Sequence, residues 1–447
     1  MDHFHYMDGV LHADGVALSD LAERVGTPTY VYSAATLIDH YQRLTTAFAP
    51  LAPLVCFSLK SCSNIHIARL LVERGAGLDV VSGGELHRAR LAGCPGDRIA
   101  FAGVGKTAAE IAYALGAPGR GELAGAAPGG PIGLFNVESE AELDLLDSIA
   151  GDLGVRANAA LRVNPDVDPG SHRYTTTGKR ENKFGVDLAR ARTILFDRPV
   201  HAPTRLSGLH VHIGSPVYDP ASYVEALARV FALMDDLATR GVRITTLDLG
   251  GGFGADYETG RSPSAADYAA ALLPLLGPRA GAGLGIVLEP GRSLVANAGV
   301  LLTRVQYVKV SGEKRFVICD AGMQTLLRPA LYEAFHFVWP VCVEPEHVPP
   351  RRAADLHLPG LVMCDVVGPI CESADFLALG RLLPPVRRGD VLAVLTAGAY
   401  GFTQASRYNS RPFPAEVLVA GHDARVIRAR ETLNDLVVHE RIEALRF

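Results

Sequence analysis

The sequence predicts an α/β protein: a (β/α)8 TIM-like barrel joined to a mainly β C-terminal domain. Three observations carry that expectation. Between residues 54 and 290, short apolar runs alternate eight times with amphipathic stretches of helical period, which is the size and rhythm of a (β/α)8 barrel. After residue 298 the helical gaps thin out, and apolar runs follow one another across turns. The 447 residues also exceed what one ordinary core organises, so two domains are expected. The expected division is a barrel over 36–298 and a β-rich domain over 1–35 and 299–447.

Strands are expected near 54–60, 78–82, 98–102, 132–137, 158–164, 206–213, 245–250 and 285–290. Helical patterns fill most of the gaps: Asn64–Arg74, Gly84–Leu91, Thr107–Leu115, Glu138–Leu153, Leu188–Phe196, Pro220–Arg240 and Ser264–Leu276. In Pro220–Arg240 the period is plain, with Tyr223, Leu227, Val230, Phe231, Met234 and Leu237 on one face. An open doubly wound sheet is the competing architecture, but eight repeats with no obvious switch point favour closure. Further on, Val300–Val310, Phe316–Cys319, Leu361–Val367 and Val391–Thr396 read as strands. The first 35 residues look strand-like at Thr29-Tyr30-Val31-Tyr32 and are expected to pack with the C-terminal domain. Gly116–Pro131, rich in Gly, Ala and Pro, is expected to be a mobile surface insertion. The polar stretch Asn164–Lys183 follows strand five and is expected over a barrel mouth.

Composition narrows the function classes. Hydrophobic residues make up 48% and charged residues 20%, as in soluble globular proteins, and the net charge of -5 offers no basic surface for nucleic acid. The seven cysteines are scattered with no CxxC spacing, which argues against a disulfide framework. Met1–Val10 lacks the basic end and apolar core of a signal peptide, and no uncharged apolar run is long enough to span a membrane. The expected location is the cytoplasm.

The chemistry-bearing residues fall where barrel strands end, which is where barrel enzymes put their active sites. Lys60 closes strand one; it is either a surface lysine or an amine whose pKa is lowered by burial, free to form a Schiff base. Asp79 starts strand two. His210 and His212, two apart on strand six, point to one side; they suit stacking on a flat ring, a metal pair lacking an evident third ligand, or an ordinary core. Gly250-Gly251-Gly252 end strand seven and allow close backbone approach to a ligand, although lone glycine clusters are often simply turns. Glu289-Pro290-Gly291-Arg292 end strand eight, and Arg292 adds a planar cation for phosphate or carboxylate. The conjunction points to a phosphate site after strands seven and eight. A buried Glu289 would hold a pyridine nitrogen protonated. Lysine, phosphate site, stacking histidine and carboxylate together describe a pocket for pyridoxal 5′-phosphate (PLP).

At this point the chain resembles a known family, the fold-type III PLP-dependent decarboxylases, and within it those that act on diaminopimelate. The resemblance covers nearly the whole chain in order: Phe57–Lys60, Asp79–Glu85, His210–Ser215, Asp248–Gly254, Glu289–Arg292, Arg328–His336, Gly368–Asp375, Gly398–Phe402 and Tyr408–Pro412. It implies an architecture like that of alanine racemase and ornithine decarboxylase. It implies Lys60 as the covalent anchor of PLP and His212 against the ring. Ser215, Gly250, Gly251, Gly252, Arg292 and Tyr400 would surround the phosphate; Glu289 would pair with the ring nitrogen, and Asp79 and Gly291 belong to the cofactor set. Arg292, Arg328, Tyr332, Glu372 and Tyr400 would bind substrate. Cys371 would be the general acid, delivered from the partner subunit of a homodimer. One departure is Lys60-Ser61-Cys62-Ser63-Asn64, where many relatives have Lys-Ala-Asn.

The implied reaction is decarboxylation of meso-2,6-diaminopimelate to L-lysine and CO2, the last step of lysine biosynthesis. That substrate has a distal carboxylate, for which Arg328 supplies a cation, and a distal ammonium, for which Glu372 supplies an anion. Three rivals follow from the same fold: a decarboxylase for carboxynorspermidine, D-ornithine, lysine or a carrier-bound amino acid; an amino-acid racemase, whose family uses arginine rather than a carboxylate at the ring nitrogen; and a non-catalytic regulator. Retention of Lys60, Glu289 and Cys371 together argues against the last.

Overall fold

The computed structural model describes residues 2–168, 170, 182–199 and 201–440. Two compact units divide the chain: one comprises 40–255 and 262–294, the other 1–39, 256–261 and 295–447. The short piece Asp256–Arg261, inside the stretch expected to be barrel, thus groups with the β-rich unit.

The first unit is a closed parallel barrel. Its strands are β1 (Leu54–Ser58), β2 (Gly77–Val80), β3 (Ile99–Phe101), β4 (Leu134–Val137), β5 (Ala157–Asn164), β6 (Thr204–His210), β7 (Thr246–Asp248) and β8 (Gly285–Leu288). Each pairs in parallel with the next, and β8 pairs back onto β1 through Val287↔Leu54 and Leu288↔Val55, so closure wins over the open sheet. The short strand Val186–Asp187 lies outside β5.

Several strands are shorter than expected at their C-terminal ends, because polar residues there cap the next helix or turn toward the barrel mouth. Ser82 accepts the Glu85 N–H at 3.2 Å to start the helix Gly83–Leu91. Strand β2 therefore ends at Val80, and Asp79 stands near its C-terminal end rather than at its start. Thr107 with Glu110, and Ser264 with Asp267, form reciprocal capping boxes, while Asn64, Ser139 and Asp187 cap other helices. The helix Ala265–Gly281 runs past the expected end at Leu276, through Pro274 and Pro278.

The stretch expected to be a mobile insertion, Gly116–Pro131, is tied down. The Arg90 guanidinium donates to the carbonyls of Ala127 and Gly130 and lies 4.0 Å over the Tyr113 ring, and the Tyr113 hydroxyl donates to Ala127 at 2.7 Å. Most of Asn164–Lys183, expected over the barrel mouth, lies outside the described residues.

In the second unit the long strand Gly299–Ser311 is central. It pairs antiparallel with Thr29–Ser33, with Lys314–Cys319 and with Val391–Val394. Thr29–Ser33 also pairs in parallel with Ala415–Ala420, so the N-terminal strand sits inside this sheet. The early chain is not purely strand-like, since helices Leu18–Val25 and Ala34–Ala47 flank that strand. Among the described residues, no helix is long and apolar enough to cross a membrane.

Candidate active site

Polar residues crowd the C-terminal end of the barrel, and the strand register brings them level. Ser58 on β1 is in register with Asp79 on β2, Arg162 on β5 with His210 on β6, and His210 with Asp248 on β7. Asp79, Asn136, Arg162, His210, Asp248 and Glu289 are all buried. Buried ionisable groups are costly unless paired or hydrogen-bonded, so their concentration at one end of an apolar barrel marks a functional site.

Lys60 follows β1 in a tight turn, and its ammonium is 3.0 Å from Asp79 Oδ2. The Ser58 hydroxyl donates to the same oxygen at 2.6 Å, while Asp79 Oδ1 has no partner among the described residues. The lysine is one-third exposed and its carboxylate fully buried. This is an amine held beside a buried carboxylate, not a surface lysine.

The stretch after β7 is shaped by its glycines. Gly250 and Gly252 have φ of +64° and +104°, a region that side chains disfavour. A Cβ on Gly251 would run into the Glu289 carbonyl oxygen, and one on Gly252 into Gly214 and the Tyr223 hydroxyl. Gly251 N–H donates to His212 Nδ1 at 3.2 Å, and the Arg292 Nε–H donates to the Ser215 hydroxyl at 3.0 Å. A Cβ on Gly291 would press on Ser61 and Ser58. Strand β6 ends at His210, so His212 lies two residues beyond it rather than on it. Burial, then the cations Lys60 and Arg162, hold the His212 imidazole well below its ordinary pKa and so neutral.

Glu289 is a buried acid just after β8. Asn136 Nδ2 on β4 donates to both Glu289 Oε1 at 3.0 Å and Asp248 Oδ2 at 2.9 Å. Burial, then nearby Asp79, raises the Glu289 pKa while Lys60 opposes; burial, then Glu289, raises that of Asp248. His210 Nε2 is 3.4 Å from Glu289 Oε2, too long and poorly directed to count as a hydrogen bond, and burial pushes the imidazole down to about 4, so it is neutral. The donor atoms of His210, Asp248 and Glu289 lie within 4.8 Å of one another. That is the third-ligand set the sequence did not reveal for His210, but the Asn136 amide donates into both carboxylates, which is an arrangement of hydrogen bonds. Glu138 with Arg162 (2.7 Å) and Glu142 with Lys106 (2.7 Å) close the network.

The other expected residues lie in the β-rich unit. Arg328 is buried; its guanidinium donates to His336 Nε2 at 2.8 Å and sits 4.6 Å over the Tyr257 ring. Because arginine only donates, His336 carries its proton on Nδ1, facing the Leu395 carbonyl at 3.0 Å. The Tyr332 hydroxyl accepts from Gln404 at 3.2 Å, and Tyr400 adopts a φ of +54°. Cys371 and Glu372 are exposed neighbours on one loop. Asn409 accepts the Cys371 N–H at 3.0 Å, and the Tyr408 hydroxyl donates to Glu372 at 2.7 Å. Asp375 pins that loop by accepting the N–H groups of Met323 and Ile370.

Sequence reasoning missed Asn136, Asp248, Glu138 and Arg162 as site residues. The signal was present as polar residues interrupting apolar strands, in Leu-Phe-Asn-Val and Leu-Asp-Leu.

The barrel end fits pyridoxal phosphate on several counts. It offers an amine beside a fixed carboxylate, glycines that leave no room for side chains beside an arginine and a serine, a neutral imidazole and a buried acid with a hydrogen-bonded partner. A family model described as "Pyridoxal-dependent decarboxylase, pyridoxal binding domain" matches residues 34–296, so the fold and site define a PLP-dependent decarboxylase. The chain is 43% identical to the diaminopimelate decarboxylase of Aquifex aeolicus over 97% of its length and 96% of that protein's. It is 44% identical to that of Pseudomonas aeruginosa over 98% of its length and 99% of that protein's. The crystal structure of diaminopimelate decarboxylase from Helicobacter pylori complexed with L-lysine superposes with a TM-score of 0.84 at 37% identity, covering 95% of this chain and 99% of that one. The chain belongs to the diaminopimelate decarboxylase family.

Proposed function

We propose that the chain converts meso-2,6-diaminopimelate to L-lysine and CO2 with pyridoxal phosphate, completing lysine biosynthesis. The observation that carries this reading is the end-to-end likeness to enzymes of that name, joined to a barrel end that fits the cofactor. When bound, pyridoxal phosphate supplies an electron-poor ring that takes up the electron pair left at Cα as CO2 departs.

The chain's own residues do the rest. The Lys60 amine would anchor the cofactor between turnovers. Arg292, Ser215, Gly250, Gly251, Gly252 and Tyr400 would hold the phosphate, Gly291 would belong to the cofactor site, and the neutral His212 would stack on the ring. Asp79 keeps the Lys60 ammonium oriented. Glu289 holds a proton at the ring nitrogen. Arg292, Arg328, Tyr332, Glu372 and Tyr400 bind the substrate: Arg328 takes the distal carboxylate, which lysine and ornithine lack, and Glu372 the distal ammonium. Bidentate pairing of arginine with a carboxylate gives that choice its selectivity. A proton from Cys371 Sγ, or from the Lys60 ammonium, replaces the lost carboxylate at Cα. The proposal assumes a cytoplasmic homodimer in which the partner subunit's Cys371 serves each site.

Purified, PLP-loaded protein should release CO2 from meso-2,6-diaminopimelate with equimolar lysine, and far less from lysine, ornithine or carboxynorspermidine. Faster CO2 release from any of those would overturn the substrate assignment.

A further inference from the structure

We infer that Asp248 is the neutral, protonated partner of Glu289, positioning that carboxylate for the ring nitrogen and linking it to the glycine loop. The geometry is the starting point. Asp248 is fully buried on β7 and Glu289 follows β8, and a single Asn136 amide group donates to both, at 2.9 and 3.0 Å. Two carboxylates this close in a dry interior do not both ionise; they share a proton. Asp248 Oδ1 accepts the Gly250 N–H at 2.9 Å, so the same side chain that touches Glu289 also fixes the first glycine of the cradle.

The surroundings decide which acid keeps the proton. The charged and titratable groups around the pair are Lys60 after β1, Asp79 on β2, Glu138 after β4 and Arg162 on β5, with the neutral imidazoles of His210 and His212 and the thiol of Cys56 on β1, which burial and the two acids push up and so keep neutral. Burial and Asp79 raise the Glu289 pKa, but Lys60, the hydrogen bond with Asp248 and Arg162 oppose them and favour its anion. Asp248 accepts from the neutral Asn136 and Gly250 donors, and burial and the Glu289 charge favour its protonated form over the smaller opposing pull of His210 and Asn136. The proton therefore sits on Asp248, which donates to Glu289, and Glu289 carries the charge. Asn136 Oδ1 has no partner among the described residues, so its amide can turn to accept from an asparagine placed at 248.

The inference rests on the reading that Glu289 meets the ring nitrogen, and the test separates the two. Infrared spectroscopy of the apoprotein carrying 13C-labelled aspartate carboxyls reads the proton without any cofactor. A protonated buried carboxyl is expected at neutral pH in the wild type, lost in Asp248→Asn. In parallel, PLP affinity is measured by fluorescence titration. Asp248→Asn, which mimics a neutral donor, should bind within about threefold of wild type, while Asp248→Ala should lose about tenfold or more. Circular dichroism checks that both variants are folded, and the asparagine variant keeps the test open if the alanine one is not. Absence of the protonated signal, or an Asp248→Asn variant as weak as Asp248→Ala, would overturn the inference. A protonated Asp248 with PLP affinity unchanged in both variants would sink its positioning role and leave the proposed reaction untouched.

Discussion

The two ends of the barrel are built from the same eight strands and differ in kind. At the C-terminal end Asp79, Asn136, Arg162, His210, Asp248 and Glu289 are buried among charge-assisted hydrogen bonds. At the N-terminal end, small residues such as Ala100, Ala159, Gly133 and Gly285 leave a cavity of about 400 Å3, with Asp97, Asn158 and Arg205 among its lining residues. A barrel core is usually filled by branched side chains. Here one end holds fixed charges that stability alone does not call for, and the other is loosely filled where only packing is at stake. Charges are tolerated where they act on a ligand, and voids where little depends on them.

The sharpest way to break this contrast is Glu289→Gln. Removing the charge at the ring nitrogen should lower kcat about a hundredfold or more, while absorbance shows that the cofactor remains bound. A variant retaining near-normal kcat would show that the buried charge is structural. A smaller effect is the pH dependence of stability. Burial raises the Asp248 pKa from its ordinary 3.8 to about 8. Between those values the folded state keeps a proton that the unfolded state has released, so this group makes the apoprotein less stable as pH rises. Asp248→Asn removes that contribution, and its unfolding free energy should fall less steeply from pH 5 to pH 8 than the wild type's, by up to about 1.4 kcal/mol per pH unit. The smallest effect belongs to the other end. Ala159→Val, pointing methyl groups at the cavity, should change stability by less than about 1 kcal/mol in chemical denaturation and leave kcat and KM as they are. A large loss of activity there would mean that the two ends are not independent.

Much of this was legible in the sequence, because the features that specify it are local. Alternating apolar runs and helical periods located all eight barrel strands, and capping residues such as Thr107 and Ser264 marked where helices begin. Lys60, Glu289 and Arg292 stood out as charges at the ends of apolar runs. What was not legible depends on contacts across the barrel. Asp79 reads as the start of its strand because nothing local tells where a four-residue strand ends. The sequence pattern extends through His212 a strand that stops at His210. Asn136 and Asp248 are 112 residues apart, and their hydrogen bond exists only once β4 and β7 face the same interior. The Gly116–Pro131 segment reads as loose because its anchor, Arg90, comes from the helix Gly83–Leu91, one helix further back in the chain than the Ala108–Ala114 helix that leads into it.

The central claim is that the C-terminal end of this barrel is a pyridoxal phosphate site anchored by Lys60. Borohydride reduction of the PLP-loaded protein, followed by peptide mass spectrometry, tests it most directly. One phosphopyridoxyl group per chain is expected, on the peptide containing Lys60, and none on a Lys60→Ala variant. Stoichiometric labelling of another lysine, or none anywhere, would contradict it.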